Sequence, residues 1–220
     1  MDNEFYLNDL YPLQDEVLQV ITQAQTGFYL TGGTALSRGY LQHRFSDDLD
    51  LFTNLHPQFG EWGEMIIAAL AARQEWRVEI QRRATMFLRL FVHYDTVALK
   101  IECVNDVPAH IGVIQAHPIL GRLDSAENIL ANKVTALMDR DAPKDVADVW
   151  GLCYQLGLPL KTALTDASSK AAGIYPPLVA RRLFAVSQQD WEVVRWIVPP
   201  DPEQFIQEVK TLAESLILVD

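Results

Sequence analysis

FYLTGGTALSRGYLQHRFSDDLDLF, Phe28 to Phe52, begins as an apolar strand, breaks at Gly32 and Gly33, resumes as a short helix and ends in Asp47, Asp48 and Asp50 among Leu49, Leu51 and Phe52. Alternate side chains of a strand share a face, so Asp48 and Asp50 project together, Leu49 and Leu51 project to the other side, and Asp47 turns away from the pair. Two carboxylates so placed are an oxygen pair suited to Mg²⁺, which keeps water or phosphate oxygens in its other positions. An exposed acidic strand end gives the same spacing, because aspartates are common near turns. Gly32-Gly33-Thr34 adds a second element. Between a strand and a helix, backbone N–H groups and the helix dipole favour an anion, and the absence of Cβ atoms lets a phosphate approach. Thr34 supplies a hydroxyl donor or a helix cap. A plain tight turn uses such glycines too, but beside an Asp-x-Asp strand they make a place to hold a triphosphate next to metal ions.

Outward from this stretch the pattern is α/β. Leu13, Val17, Val20, Ile21 and Ala24 recur at helical spacing over Pro12 to Gln25, with Gly27 as the expected left-handed cap. Helical spacing returns near Glu61 to Arg73, and WRVEIQ, MFLRLFVHY and VALKIECV read as further strands with a turn at Tyr94, Asp95 and Thr96. With FYLT and DLDLF this predicts a mixed sheet of about five strands with helices on it. From about Ser125 the segments ENILANKVTALMDR, KDVADVWGLCYQLG, LKTALTDASSKAAG, PLVARRLFAV and PEQFIQEVKTLAESLIL all read as helices. The expected division is a core over 1–120 and a helical region over 121–220, joined near Ala116 to Asp124.

Composition narrows the class. A chain of 220 residues, 49% hydrophobic, can bury a substantial core. MDNEFYLNDLYPLQDEV lacks the cationic start and apolar run of a signal peptide, and no stretch is apolar for long enough to span a bilayer, so a cytoplasmic location without a membrane partner is expected. Cys103 and Cys153 lack metal-ligand spacing and read as reduced core thiols. The 18 Lys and Arg against 29 Asp and Glu give a net charge of -11, which argues against broad attraction to nucleic acid. A local basic site stays open. Arg73, Arg77, Arg82, Arg83 and Arg89 form one group, read either as solvated strand and helix faces or as a nucleic-acid track, and Arg181 and Arg182 form another. Trp150, Trp191 and Trp196 read as packing aromatics.

Gly32-Gly33-Thr34-Ala35-Leu36 followed by His43-Arg44-Phe45-Ser46-Asp47-Asp48-Leu49-Asp50-Leu51-Phe52 resembles the first motif of the DNA polymerase β-like nucleotidyltransferases, and within them the AbiEii/AbiGii-type toxins. The resemblance implies a polymerase β-like core and metal-dependent transfer of a nucleoside monophosphate from an NTP, with Mg²⁺ or Mn²⁺ on Asp48 and Asp50. It also calls for a third carboxylate on a neighbouring strand. Glu102 is the candidate, sharing a strand face with Lys100, where the superfamily more often has Asp; a solvent-facing Lys/Glu pair is the plainer alternative. His43, Arg44 and Ser46 are carried over as supporting residues. A second block resembles the same toxins: Leu123-Asp124, Glu127 to Lys133, Arg140, and Lys144-Asp145-Val146-Ala147-Asp148. Seven residues apart, Lys133 and Arg140 share a helical face and would suit the triphosphate and the departing pyrophosphate. Asp145 and Asp148 become functional candidates, although acidic residues in a first helical turn also serve its dipole and Lys144 with Asp148 is an ordinary i,i+4 pair.

The resemblance further implies an RNA acceptor, the 3′ end of tRNA, and a cognate antitoxin protein. Two rivals accompany it. A small-molecule nucleotidyltransferase similar to the aminoglycoside-modifying enzymes shares the glycine turn and Asp-x-Asp strand, and the negative charge suits a cationic acceptor. A catalytically silent nucleotide-binding protein is the other, opposed by intact Asp48, Asp50 and Glu102.

Overall fold

The computed structural model describes residues 3–217. The chain forms two compact units: one takes the residues up to Gly39 and Ser46–Asp124, the other Tyr40–Phe45 and the residues from Ser125 onward.

The first unit opens with α1 (Asn3–Phe5), a π-helical turn (Tyr6–Leu10) and α2 (Tyr11–Gln23). Pro12 fits the first turn of α2, where its missing N–H costs nothing, and Leu13, Val17, Leu18, Val20 and Ile21 give the helix its buried stripe. The left-handed residue after it is Gln25, at φ 51°, and Gly27 is not the cap. Gly27 is required for another reason: the Trp62 indole lies against its Cα, where a Cβ would overlap the ring.

Then follow β1 (Tyr29–Thr31), α3 (Gly32–Leu36) passing into a π-helical turn (Ser37–Leu41), β2 (Leu49–Asn54), α4 (Phe59–Ala71), β3 (Arg77–Ala84), β4 (Phe87–Tyr94), β5 (Val97–Asp106), β6 (Gln115–His117) and β7 (Gly121–Leu123). The strands make one mixed sheet in the order β3-β4-β5-β2-β1-β7-β6. It has seven strands, where about five were expected. The two extra are β6 and β7, each three residues long and too short to show alternation; they occupy the stretch Ala116 to Asp124 read above as a join.

β2, β4 and β5 alternate between buried residues and half-buried ones, with Tyr94 and Ala98 exposed at the turn between β4 and β5. Leu49, Leu51, Leu88, Leu90, Val92, Leu99, Ile101 and Cys103 lie on the buried face, and α2 and α4 contribute Val17, Ile21, Phe59, Ile66 and Leu70 to the same core. The other face carries Asp50, Phe52, Phe87, Arg89, Phe91, Lys100 and Glu102, none of them fully buried.

The second unit consists of α5 (Ala126–Asp139), α6 (Pro143–Tyr154), α7 (Leu160–Ser168), α8 (Pro176–Phe184), α9 (Gln188–Val193) and α10 (Pro202–Ile217). Ser125 caps α5 by accepting from the Asn128 N–H, and Ser187 with Asp190 closes a capping box on α9, a helix absent from the sequence expectation. Tyr40–Phe45 belongs here because its backbone is pinned to the segment before α10: Phe45 N–H donates to Arg195 O at 2.8 Å and Ile197 N–H to His43 O at 3.0 Å. Trp150, Trp196 and Phe205 pack edge to face, Trp150 and Phe205 with centroids 5.3 Å apart, and Trp191 lies tilted at 35° against Trp196. Among the described residues no helix is long and apolar enough to cross a membrane.

Candidate active site

In the first unit strand pairing assembles the carboxylates. β2 and β5 run parallel with Asp50 opposite Glu102, and β4 pairs antiparallel with β5 so that Arg89 stands opposite Glu102. Asp48 lies just ahead of β2 and still reaches the same face, where Lys100 Nζ is 2.8 Å from its Oδ2 and 3.8 Å from Glu102 Oε1. Arg89 grips Glu102 Oε1 through Nε at 2.6 Å and Nη2 at 2.5 Å. Asp47 turns elsewhere, accepting from Tyr6 Oη at 2.7 Å.

Burial opposes the charge of Lys100, but the hydrogen bond to Asp48 and the charges of Asp48, Glu102 and Asp50 outweigh it and hold the ammonium above its usual range. A cation is thus already favoured at this spot. Asp48, Asp50 and Glu102 supply hard oxygen donors only, the ligand type of Mg²⁺ and Mn²⁺. Among the described residues no three His, Cys, Asp or Glu side chains are gathered closely enough to hold a metal ion as they stand. The trio fits a divalent cation in donor chemistry, with Lys100 and Arg89 interleaved among its carboxylates.

Gly32 opens α3 at φ 69°, a left-handed conformation, and its Cα lies so close to Asp50 that a Cβ would overlap the carboxylate. Thr34 is fully buried. Its hydroxyl donates to Asp48 O at 2.5 Å and accepts from Ser46 Oγ at 3.0 Å, tying the start of α3 to the entry of β2. Gln14 Nε2 adds bonds to Ser46 O and Asp47 O. Beside this lies a buried polar group of which the sequence pointed to Asp124 alone: Thr31, paired with Asp50 across β1 and β2, donates to Asp124 Oδ2 at 2.5 Å, and Asp124 Oδ1 is 2.9 Å from His110 Nε2. The pairing of β7 with β1 brings Asp124 beside Thr31, and His110 packs edge to face on Tyr29 of β1.

The unit also holds a cavity of about 630 Å³ lined by Leu55, His56, Phe59, Met86 and Leu88. Leu55 and Asn105 place it at the far end of β2 and β5 from Asp48, and it contains none of the acidic trio. Cys103 and Cys153 are excluded as nucleophiles, because burial, with the nearby Glu102 charge in the case of Cys103, pushes both thiols up to about 12.

The second unit gathers His43, Arg44, Lys133, Arg140, Asp145 and Asp148. Arg44 grips Asp148 with two parallel bonds of 2.7 Å, His43 Nε2 is 2.8 Å from Oδ1 and Lys133 Nζ 2.7 Å from Oδ2. Lys133 Nζ also lies 2.8 Å from Asp145, which accepts from Arg140 Nε at 2.7 Å. His43, Arg44, Lys133, Asp145 and Asp148 are all buried. The shared helical face expected for Lys133 and Arg140 is not formed: α5 ends at Asp139, Arg140 is extended at φ -148°, and the two converge on Asp145 from different backbone settings. Ala142, preceding Pro143, is extended too, as the clash with the proline ring requires.

Burial works against the charge of Asp148, yet Arg44 and Lys133 with the bonds from His43 and Arg44 hold its carboxyl well below the ordinary range. Asp145 is lowered in the same way, burial being overcome by Lys133 and Arg140. Lys144 stands beside this group of cations. Partial loss of hydration and the charges of Lys133, Arg44 and Arg140 hold its ammonium below the usual range.

Comparison with known proteins agrees with this fold. An uncharacterised protein of Aquifex aeolicus (strain VF5) is 25% identical over 193 residues, 86% of this chain and 89% of the relative. A Helicobacter pylori protein described as a candidate nucleotidyltransferase superposes with a TM-score of 0.62 over 95% of each chain at 22% identity. MenT4, a nucleotidyltransferase toxin of Mycobacterium tuberculosis H37Rv, superposes with a TM-score of 0.63 over 96% of this chain and 84% of its own at 17% identity. At such identities the two structures speak for the fold. The family model of the AbiEii nucleotidyl transferase toxins of type IV toxin–antitoxin systems matches residues 19–192, which span both units, and the chain belongs to that family and is a nucleotidyltransferase.

Proposed function

We propose that this toxin moves a nucleoside monophosphate from an NTP to a hydroxyl of an RNA acceptor, the 3′ end of tRNA, and that a cognate antitoxin protein restrains it. The observation that supports the chemistry is the strand register that sets Asp50 beside Glu102, with Lys100 between Asp48 and Glu102 and the Gly32 backbone against Asp50.

In this proposal Asp48 and Asp50 hold a divalent cation, Mg²⁺ or Mn²⁺, and Glu102 is the third carboxylate of the set. When bound, such an ion neutralises and orients phosphate oxygens. The acceptor hydroxyl oxygen bonds to the α-phosphorus and its proton passes to Glu102. The bond from the α-phosphorus to the β-bridging oxygen breaks, and pyrophosphate carries away the electron pair. Arg89 fixes the Glu102 carboxylate, and Gly32 and Gly33 offer backbone N–H groups to phosphate. Thr34 and Ser46 act by positioning Asp48. Within the helical unit itself, Lys133, Arg140 and Lys144 are the cations the family resemblance offers to phosphate oxygens.

Incubation with each labelled NTP, Mg²⁺ and total tRNA is expected to place label in RNA and release pyrophosphate. Asp50→Asn should lower that transfer by more than about 100-fold, beyond the cost of losing an outer partner of a metal site. Label entering an aminoglycoside panel but not RNA, or full activity in Asp50→Asn, would refute the proposal.

A further inference from the structure

The register that pairs Asp50 with Glu102 continues outward. Arg89 stands opposite Glu102 on β4, and Arg82 stands opposite Arg89 on β3, so Asp50, Glu102, Arg89 and Arg82 form one row across four strands. The row changes sign midway, from two carboxylates to two guanidinium groups. Phe87 and Phe91 flank Arg89 along β4 and share its face, both half-buried. The Arg89 and Arg82 guanidinium carbons lie 5.3 and 5.6 Å from the Phe87 ring centroid.

Arg73, Arg77, Arg83 and Arg89 each have a carboxylate partner in Glu75, Glu79, Glu64 and Glu102. Arg82 has none among the described residues; its guanidinium is exposed and meets only the Phe87 ring. In a chain of net charge -11, an uncompensated guanidinium at the end of this row is a local reversal of sign. Planar rings interleaved with guanidinium groups on an open sheet face match the chemistry of an unpaired nucleic-acid strand, whose bases stack on rings and whose phosphates take the charge.

We infer that the outer half of this face, Arg82, Phe87 and Phe91, binds the single-stranded end of the RNA acceptor and leads its terminal hydroxyl along the row toward Glu102. The inference rests on the transfer reading above for its direction but not for its binding surface. Arg82 holds a phosphate, Phe87 and Phe91 each offer a platform for a base, and Arg89 stays on Glu102. None of the three touches the reacting atoms, so they are positioning residues.

The test is binding of a short fluorescent single-stranded RNA, without NTP, followed by anisotropy across a salt series. Arg82→Gln should weaken binding on the order of tenfold and flatten the plot of log affinity against log salt by about 0.7, the share of one phosphate contact on a single strand. Arg82→Lys should keep the slope, and Phe87→Leu should weaken binding on the order of tenfold with the slope unchanged. Wild-type affinity and slope in both Arg82→Gln and Phe87→Leu would overturn the inference and leave the face to a protein partner. RNA binding that responds as expected without label transfer would sink the transfer reading alone. Label transfer to tRNA with wild-type RNA affinity in these variants would sink this inference alone.

Discussion

Replacing Asp148 with alanine is expected to destabilise the helical unit by about 3–5 kcal/mol, the usual cost of removing one member of a buried ion group. The side chain is fully buried and meets Arg44, Lys133 and His43 at 2.7 to 2.8 Å. Its loss takes from Arg44 and Lys133 part of the charge that offsets their desolvation, with Asp145 remaining beside Lys133 at 2.8 Å. A second substitution separates this electrostatic account from simple loss of packing. Lys133→Met in the Asp148→Ala background removes one of the two cations, so the double variant should recover part of the loss, with a coupling of roughly 0.5–3 kcal/mol. Urea unfolding monitored by fluorescence of Trp150, Trp191 and Trp196 reads both values. Strict additivity, or a loss below about 1 kcal/mol for Asp148→Ala, would refute the argument.

The same group sets a pH dependence. Asp148 and Asp145 have depressed native pKa values, so the unfolded chain takes up protons first as pH falls below about 4. Their contribution is complete above that range and declines as pH drops through the native values. Lys133 runs the other way: burial opposes its charge, but Asp148 and Asp145 raise its pKa, so its contribution is present below about pH 10 and is lost above it. The share of the unfolding free energy that these three groups carry should therefore be flat between these limits and fall on both sides, and the acid limb should be shallower in Asp148→Ala.

The central strands were legible because they are half-buried. β2 and β5 alternate so strictly that Asp50 and Glu102 could each be assigned to the polar face from sequence alone. Their adjacency could not, since it depends on a parallel register between strands far apart in the chain. Arg89 shows the same limit: in sequence it is one of five arginines read either as solvated faces or as a nucleic-acid track, and strand pairing puts it on Glu102. β6 and β7 escaped because three residues carry no period. Resemblance supplied His43, Arg44 and Asp148, but not that they bond to one another across more than 100 positions, nor that Tyr40–Phe45 belongs with the helices. Helical spacing misled at Arg140, where α5 had already ended.

Gly32→Ala is expected to abolish nucleotide transfer and to cost about 2–5 kcal/mol of stability, from two separable causes. At φ 69° an alanine Cβ crowds its own backbone, at about 1–2 kcal/mol. The same Cβ would also overlap the Asp50 carboxylate and stand 3.1 Å from Asp50 Cβ, overpacking of the kind that costs about 1–3 kcal/mol. Asp50 cannot retreat by moving its backbone, because β2 is paired with Thr31 on one side and Glu102 on the other. The carboxylate must rotate instead, away from the face it shares with Glu102, which is why activity should fall further than stability. Asp50→Ala in the Gly32→Ala background removes the overlapped oxygen and Cγ while leaving the backbone strain. Stability should then rise by about 1–3 kcal/mol over Gly32→Ala, the overpacking share alone, with transfer still absent. Equal stability of the single and double variants would show that no steric conflict with Asp50 exists. Wild-type transfer in Gly32→Ala would show that the glycine is a turn residue and nothing more. The result expected here ties the glycine to the aspartate: Gly32 is glycine because the carboxylate of Asp50 already occupies the space a side chain would need.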